Sequence, residues 1–246
     1  MQTAKSSLSS SSSVTDQGYT LALADAVLSQ APDGVFVSLY LAAEASDFIR
    51  FNRAAVRQAT HVTQAYVTLS LSQGQRSAQS TLTVGGDLAC DVPVLLREMA
   101  SLAGDLAVLP DDPYLFLPDV VAHTHREDAG ALPTPAQVIH AVHTHAQELD
   151  FVGFYAGGPV VRAYADTRGQ RNWHRVENFS LDWCLYHSGD KAVKTSYAGT
   201  HWLDEAFAAR VREAAGQVHM LGVPPRSLPP GRYRTCLLYT SPSPRD

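Results

Sequence analysis

Residues 62–71 alternate between apolar and polar side chains, and this pattern restricts the fold of the chain more than any other feature. The apolar positions are Ala65, Val67, Leu69 and Leu71. The polar positions that alternate with them are Gln64, Thr68 and Ser70. Because successive side chains of a β-strand point to opposite faces, the alternation predicts a strand with one buried face and one solvated face. An antiparallel sheet with one open side is therefore expected.

The remainder of the first half predicts further strands with a helix on either side. Strands are expected at residues 35–41, 47–51 and 80–84, with residues 43–46 as the turn of a hairpin between the first two. A helix is expected at residues 20–30, and a second one begins near Asp91, with Asp91 as its N-cap and Pro93 in its first turn. The apolar face of this second helix carries Leu95, Met99, Leu102 and Leu106. We expect it to pack on the apolar side of a four-stranded meander.

The second half repeats the order of helix, strands and helix. A helix is expected at residues 135–149, strands at 151–156, 160–165, 173–179, 180–186 and 192–198, and a last helix at 204–219, with Gly157 and Gly158 in a turn. The sequence thus predicts an α+β fold of two helix-plus-antiparallel-sheet domains. The predicted divisions are a disordered Ser-rich tail (1–18), an N-terminal α+β domain (19–110), a linker (111–134) and a central α+β domain (135–235).

The last eleven residues, 236–246, resemble a translated adapter from DNA library preparation. We therefore expect the natural sequence to be interrupted near Thr235 and the chain to be a fragment. An ordinary disordered tail is the alternative, because such tails are also rich in proline and serine.

Charge and cysteine content exclude several classes of protein. The net charge is −5 and the isoelectric point is about 6.0, without a basic stripe, so no direct contact with nucleic acid is expected. No apolar run approaches the roughly 20 residues of a membrane helix, and the serine-rich start lacks the apolar stretch of an export signal, so no membrane contact is expected either. Cys90 and Cys184 form no Cys-x-x-Cys pair. A cytoplasmic location is the expectation.

Several strings of the sequence resemble the TldD/PmbA family of zinc metallopeptidases, once called modulators of DNA gyrase. They lie at residues 48–53, at 109–114 and, most densely, at 153–199, and the resemblance runs from about Ala26 to Arg234. The chain departs from the usual strings of the family at Arg162-Ala163, where members commonly show Arg-Gly, and at residues 165–169, where they show Ala-Asn-Ser-x-Gly. It is identified as a divergent member corresponding to the N-terminal half.

The resemblance implies a peptidase whose zinc is bound by a His-Glu-x-x-x-His helix and a distant cysteine in the C-terminal half. It also implies a dimer, either a homodimer or a heterodimer with a family paralogue, that encloses the site and admits short or unfolded peptides as substrates. None of the ten histidines here is followed directly by glutamate, so no catalytic or metal residue is assigned. The expected role is a non-catalytic region that contributes to the dimer shell and to peptide access, with zinc outside this chain. The alternative is a fragment of the zinc-less, non-enzymatic partner subunit of the family.

Three residues of the densest matching block are candidates for a peptide-binding or subunit contact: Arg162, Trp173 and Trp183. Arginine and aromatic side chains are the usual anchors of such surfaces. The alternative is that the two tryptophans pack in the core and that the arginine is solvated.

Other residue patterns suggest sites that we weighed against ordinary structural roles. Five histidines could form a metal-binding domain: His123, His125, His140, His143 and His145. Those in the predicted helix lie opposite its apolar face, where polar side chains are expected in any case. Cys184 next to Trp183 is interpreted as a small buried thiol, and Asp111 and Asp112 between prolines as turn residues.

Overall fold

The computed structural model describes residues 14–117, 119–189, 191–224 and 227–234. Its helices and strands follow one another as α1 (Gln17–Leu28), β1 (Phe36–Asn52), β2 (Ala55–Gln73), β3 (Arg76–Thr83), α2 (Leu88–Leu106), β4 (Thr124–Asp128), α3 (Pro135–Ala146), β5 (Asp150–Asp166), β6 (Arg171–Tyr186), β7 (Ala192–Gly199) and α4 (Asp204–Leu221). The predicted α+β class is confirmed.

All seven strands belong to one sheet in the order β3-β2-β1-β5-β6, with β4 and β7 both on the outer edge of β6. The pairs are antiparallel except for β4, which runs parallel to β6. The strands of the two halves of the chain meet where β1 pairs with β5, from Ser38 opposite Asp166 to Asn52 opposite Val152. Whether each half folds as a separate domain stays a prediction.

The four helices lie over one face of this sheet in two pairs. Helices α1 and α2 bury Leu23 and Leu95 against Leu39 of β1 and Leu69 of β2. Helices α3 and α4 bury a second cluster at the other end of the long strands, made up of Val138, Val142, Phe207 and Val211 against Phe51, Phe151, Leu181 and Trp183. Since the buried residues of β1, β2, β5 and β6 in both clusters are odd-numbered, these strands present one face to the helices along their length.

The strands are longer than the sequence predicted. The turn expected at residues 43–46 is wrong, because β1 continues through it, with Ala45 opposite Thr63 of β2. The Gly157-Gly158 turn and the division between residues 173–179 and 180–186 are wrong in the same way, since β5 and β6 are uninterrupted. At 17 residues, β1 spans roughly 55 Å, which allows two helix pairs to pack side by side on it.

The helix boundaries also differ from the prediction in two places. Helix α1 begins at Gln17, with Asp16 as its N-cap, whereas most of the predicted Ser-rich tail lies outside the described residues. Helix α2 begins at Leu88 with Asp87 as its N-cap, so the expectation for Asp91 was wrong and Pro93 lies inside the helix. The predicted linker, residues 111–134, contains β4. Within the described residues, every helix falls short of the length and apolarity needed to cross a bilayer.

Candidate functional site

The side of the sheet away from the helices carries the candidate site, and we call it the open face. It consists of the even-numbered residues of β1, β2, β5 and β6, whose odd-numbered neighbours contact the helices. Large aromatic side chains remain exposed on it: Tyr40 is 43% exposed, Tyr66 is 42% exposed and Phe154 is 42% exposed. Large exposed aromatic groups on a strand surface are a common feature of contact surfaces.

Three hollows follow one another along the open face, each lined by β1 and β5. The first lies near the β1–β2 turn and includes Phe48 and Phe154. The second lies midway and includes Glu44 and Arg162. The third lies at the opposite end, beside Tyr164 and Asp166. Together they make a broken groove parallel to the strands.

The first hollow combines stacked rings with a cation and has a volume of about 310 Å³. The rings of Phe48 and Phe154 stack with centroids 5.7 Å apart, and the Arg50 guanidinium carbon lies 5.7 Å from the centroid of Phe154. Gln58 and Thr60 of β2 complete the lining. Within the described part of the chain Arg50 forms no ion pair, so its charge is available to a ligand.

The second hollow contains Arg162, which of the three contact candidates Arg162, Trp173 and Trp183 is the one that lies on the open face. Its Nη1 donates to the carbonyl of Val161 at 2.8 Å. Nearby, Gln64 donates to Glu44, and the Tyr66 hydroxyl donates to Gln64 Oε1 at 3.2 Å. Among the described residues Arg162 has no carboxylate partner, which leaves most of its donors open to a bound group.

The third hollow ends in a tight turn organised by Asp166, which is 5% exposed. Its carboxylate accepts from the backbone N–H groups of Arg168 and Gln170, both at 3.0 Å, and from the Tyr164 hydroxyl at 3.2 Å. Burial, followed by the nearby Asp166 charge, raises the pKa of Tyr164. The Arg168 guanidinium carbon lies 4.8 Å from the centroid of Phe36, closing this end with a second cation over a ring.

The two candidate tryptophans lie on the helix side of the sheet, in agreement with the core-packing alternative. Trp173 is 3% exposed and donates from Nε1 to Glu127 Oε1 at 2.8 Å. Trp183 is 2% exposed and packs between Phe151, at 5.8 Å between centroids, and Phe207, at 5.5 Å. Their predicted role in a peptide or subunit contact stays untested, but both rings are buried in this chain.

Sequence reasoning missed Phe48, Arg50 and Phe154, which form the best-defined part of the open face. Their shared position on the open face could have been found from the alternation of side chains along a strand, because residues 48, 50 and 154 all have even numbers. The wrong turn at residues 43–46 separated residues 48 and 50 from the alternation that runs through the first part of β1.

Four of the five histidines of the metal hypothesis have different surroundings. His123 Nδ1 accepts from the backbone N–H of Arg171 at 3.2 Å, and His125 lies 3.4 Å from Gln17 Oε1. His145 Nε2 lies 2.9 Å from Asp204 Oδ2, and His140 lines a cavity of about 610 Å³ between α3 and Trp202. Within the described residues no group of three or more His, Cys, Asp or Glu side chains could hold a metal ion. These histidines therefore do not fit a shared zinc site.

The remaining candidates have structural surroundings. Cys184 is half-buried on the open face of β6, rather than fully buried as predicted. Asp111 accepts from Arg76 Nε at 2.8 Å, and Asp112 Oδ1 accepts from the backbone N–H of Tyr114 at 2.9 Å, which confirms the turn interpretation.

Comparison with known proteins gives matches only among solved structures. No protein-family model and no curated protein matches the chain. A proposed modulator of DNA gyrase from Thermotoga maritima superposes with a TM-score of 0.56 at 13% identity, over 81% of this chain and 47% of that one. A second proposed modulator, from Bacteroides thetaiotaomicron, gives 0.57 at 13% identity, over 82% and 49%. TldE from Thermococcus kodakarensis gives 0.55 at 10% identity, over 82% and 47%.

The chain has the fold of these proteins. The resemblance to the TldD/PmbA family seen in the sequence is thereby confirmed at the level of the fold. The chain spans about half the length of each of the three solved structures. Activity, substrates and partners of a longer protein are therefore matters for proposal.

Proposed function

We propose that this chain is the non-catalytic region of a TldD/PmbA-type zinc metallopeptidase, with the open face serving peptide access and the sheet forming part of a dimer shell. The observation that carries the proposal is the fold, which the chain shares with a TldE and two proposed gyrase modulators while spanning about half of each. The absence of any histidine followed by glutamate in the sequence is consistent with a zinc site elsewhere in the longer protein.

The chemistry of the open face supports a role with peptides. Its groove offers rings for apolar side chains, and Arg50 and Arg162 can donate to carboxylates or backbone carbonyls. Hydroxyl and amide side chains between them, such as Thr60 and Gln64, hydrogen-bond without demanding one particular sequence. Such a surface would bind extended segments weakly and with little sequence preference.

Metal analysis of the purified chain tests the non-catalytic role. After dialysis against zinc and then against buffer, we expect far less than one zinc per chain and no cleavage of a mixture of unstructured peptides. Stoichiometric zinc together with peptide cleavage would show that the catalytic site lies within these residues.

Peptide access is tested on the open face itself. Unstructured peptides carrying a fluorophore should show weaker anisotropy changes with Arg50→Gln and Arg162→Gln than with the unaltered chain. Arg212→Gln, on the exposed surface of α4, removes the same charge elsewhere and serves as the matched control. Equal binding by all variants would remove the open face from the proposal.

The alternative is that the chain is a region of the zinc-less, non-enzymatic partner subunit of the family. Sequencing the native gene beyond Thr235 separates the two, since a His-Glu-x-x-x-His motif downstream supports the peptidase. A complete reading frame without that motif supports the partner subunit.

A further inference from the structure

Positive charge is concentrated around the first hollow of the open face, although the chain as a whole is acidic. Residues 48–60 contain Arg50, Arg53 and Arg57 and no aspartate or glutamate, while the net charge of the chain is −5. All three arginines are exposed. In the part of the chain that the structure describes, none of them forms an ion pair. This end of the sheet therefore attracts an anionic group.

Arg50 is the arginine that lines the hollow itself. It lies opposite Phe154 of β5, and Phe154 in turn lies opposite Asp182 of β6. Two strand spacings, roughly 9–10 Å, separate the backbone positions of Arg50 and Asp182 in this row. No ion pair joins these two side chains. A carboxylate is thus attracted at the β1 side of Phe154 and repelled at the β6 side.

A β-bulge lies directly beside Arg50. Arg50 pairs with Gln58 of β2. Phe51 pairs with Val56, which leaves Arg57 without an opposite residue on β1. Bulges bend a strand and change the direction of its side chains, and they are frequent next to active sites. This bulge adjoins Gln58, whose side chain lines the hollow.

The hollow has room for about one amino-acid residue. Its volume of about 310 Å³ is close to the lower limit of small-molecule sites, which is roughly 300 Å³. The stacked rings of Phe48 and Phe154 give it an apolar surface. The guanidinium carbon of Arg50 lies 5.7 Å from the centroid of the Phe154 ring. A ligand that uses both features carries an apolar group and a carboxylate close together.

We propose that the first hollow binds the C-terminal residue of a short peptide, with the terminal carboxylate on Arg50 and an apolar side chain on the rings of Phe48 and Phe154. Only the last residue of a peptide carries its side chain and a main-chain carboxylate on the same Cα atom. In an extended segment, adjacent side chains point to opposite faces. An internal acidic residue therefore turns its carboxylate away from the side on which its neighbour is bound.

The position of the hollow at one end of the groove agrees with a chain terminus. A peptide held there by its last residue extends along the open face toward Glu44 and Arg162 of the second hollow. Phe48 and Glu44 are four residues apart on β1, so about four peptide residues, roughly 13 Å, reach the second hollow. The inference rests on the proposed function and deepens it by naming the substrate class, which is short peptides with a free C-terminus and an apolar last residue.

An NMR titration with a matched pair of peptides tests the proposal. The nitrogen-15-labelled chain is titrated at neutral pH with acetyl-Ala-Ala-Ala-Phe as the free acid and with the same peptide as the C-terminal amide. We expect the dissociation constant of the free acid to be about tenfold lower, because the amide lacks the charge-assisted hydrogen bonds to a guanidinium.

The outcomes separate this inference from the proposed function. Equal dissociation constants for the two peptides would overturn the inference and leave peptide access by the open face in place. Absence of binding by both peptides would reject peptide access and the inference with it.

Variants of Arg50 locate the carboxylate. Arg50→Gln should reduce the preference for the free acid to about twofold or less, and Arg50→Lys should retain part of it, since the charge remains while the paired donors are lost. Arg212→Gln on α4 is the matched control and should leave the preference unchanged. The spectra verify that each variant is folded. A preference that Arg50→Gln does not reduce would place the carboxylate elsewhere and overturn the proposal.

Two further peptides test the source of the carboxylate and the role of the rings. The amide of acetyl-Ala-Glu-Ala-Phe carries its carboxylate on a side chain, and we expect it to bind as weakly as the neutral amide. Binding as tight as that of the free acid would reject the C-terminal assignment. Free acetyl-Ala-Ala-Ala-Ala should bind about fivefold more weakly than the peptide ending in Phe, and Phe154→Ala should remove most of this difference. A difference that persists in Phe154→Ala would contradict the proposed seat of the last side chain.

Discussion

Gly158 lies in the middle of β5 because β1 passes too close for a side chain. A Cβ atom at this position would lie 2.2 Å from the Ala45 carbonyl oxygen and 2.9 Å from the Ser46 Cα, both backbone atoms. The sequence predicted a turn here because paired glycines are typical of turns. Glycine inside a strand instead often marks a close backbone approach, which only the folded structure reveals.

Gly158→Ala should destabilise the protein by about 2 kcal/mol or more, because the new methyl group meets the backbone of β1, and β1 and β5 are paired on both sides of this point, at Val160 and at Gly157. The free energy of unfolding in urea, followed by circular dichroism, measures this effect. Gly199→Ala in β7 is the control, since its nearest contact would be 3.7 Å from the Phe179 ring. A loss no larger than that of the control would show that the strands separate easily at this point.

The buried tyrosines predict a loss of stability at alkaline pH. Burial, followed by the Asp47 charge, raises the pKa of Tyr155 to about 12. The unfolded chain loses this proton near pH 10, and the folded chain holds it to about pH 12. The stabilising contribution is therefore fully present below pH 10 and is lost as pH rises to about 12, by about 1.4 kcal/mol per pH unit.

Urea unfolding at pH 9, 10, 11 and 12 measures that slope. Tyr155→Phe should make the stability less dependent on pH over this range. The exposed Tyr114 offers a control, since Tyr114→Phe should leave the slope unchanged. A slope that is the same in all three proteins would contradict the assignment.

At the scale of elements, the start of α2 depends on a carboxylate that follows the N-cap. Asp87 caps the helix by accepting from the Ala89 N–H at 3.0 Å. Asp91, 8% exposed, accepts from the N–H groups of Gly85, Gly86 and Asp87 at 2.9–3.0 Å and from the Tyr19 hydroxyl at 2.7 Å. It thus joins the loop before α2 to helix α1, and burial together with this contact raises the pKa of Tyr19.

Asp91→Ala should lower the free energy of unfolding by about 3 kcal/mol, because it leaves several buried donors without an acceptor. Thermal unfolding followed by circular dichroism is the measurement. Asp105→Ala near the end of the same helix removes an exposed carboxylate and should change stability by less than about 0.5 kcal/mol. Equal effects of the two changes would rule out a special role for Asp91.

Strand and helix types were predictable because their signals are local. The period of Leu95, Met99, Leu102 and Leu106 located α2, and the alternation around Val67 located β2. The open side of the sheet also follows from that alternation. Strand lengths were not predictable at residues 43–46, where alanine, glutamate and serine have weak strand preference and burial between neighbouring strands decides the conformation.

At the scale of the whole molecule, β1 and β5 join the two helix pairs. Leu39 packs under the first pair, while Ile49 and Phe51, further along the same strand, belong to the second cluster. The residues that pair between β1 and β5 are 100 or more positions apart in the sequence, so this pairing has no local signal. A single sheet therefore could not be derived from the sequence, and neither could a groove made by residues of both strands.

The shared strands predict one cooperative unfolding transition. The fluorescence of Trp173 reports on the first cluster, and that of Trp183 and Trp202 on the second. Single-tryptophan variants, with the other tryptophans replaced by Phe, should give the same urea midpoint as circular dichroism.

The same sharing predicts that residues 14–110 alone remain unfolded, since β1 would lose its β5 partner. Leu39→Ala in the full chain should shift the urea midpoint measured by every probe by the same amount. Two separate midpoints, or a folded fragment of residues 14–110, would instead support the two domains predicted from the sequence.

The ladder between β1 and β5 is interrupted halfway along. Glu44 pairs with Val160 and Asp47 with Gly157, while Ala45 and Ser46 have no partner in Gly158 and Pro159. Proline also has no N–H to contribute. We therefore expect bending of the sheet to concentrate on the line between the two helix pairs, where the β1–β5 pairing is interrupted. Because that line crosses the open face beside Arg162, such bending would change the width of the middle hollow.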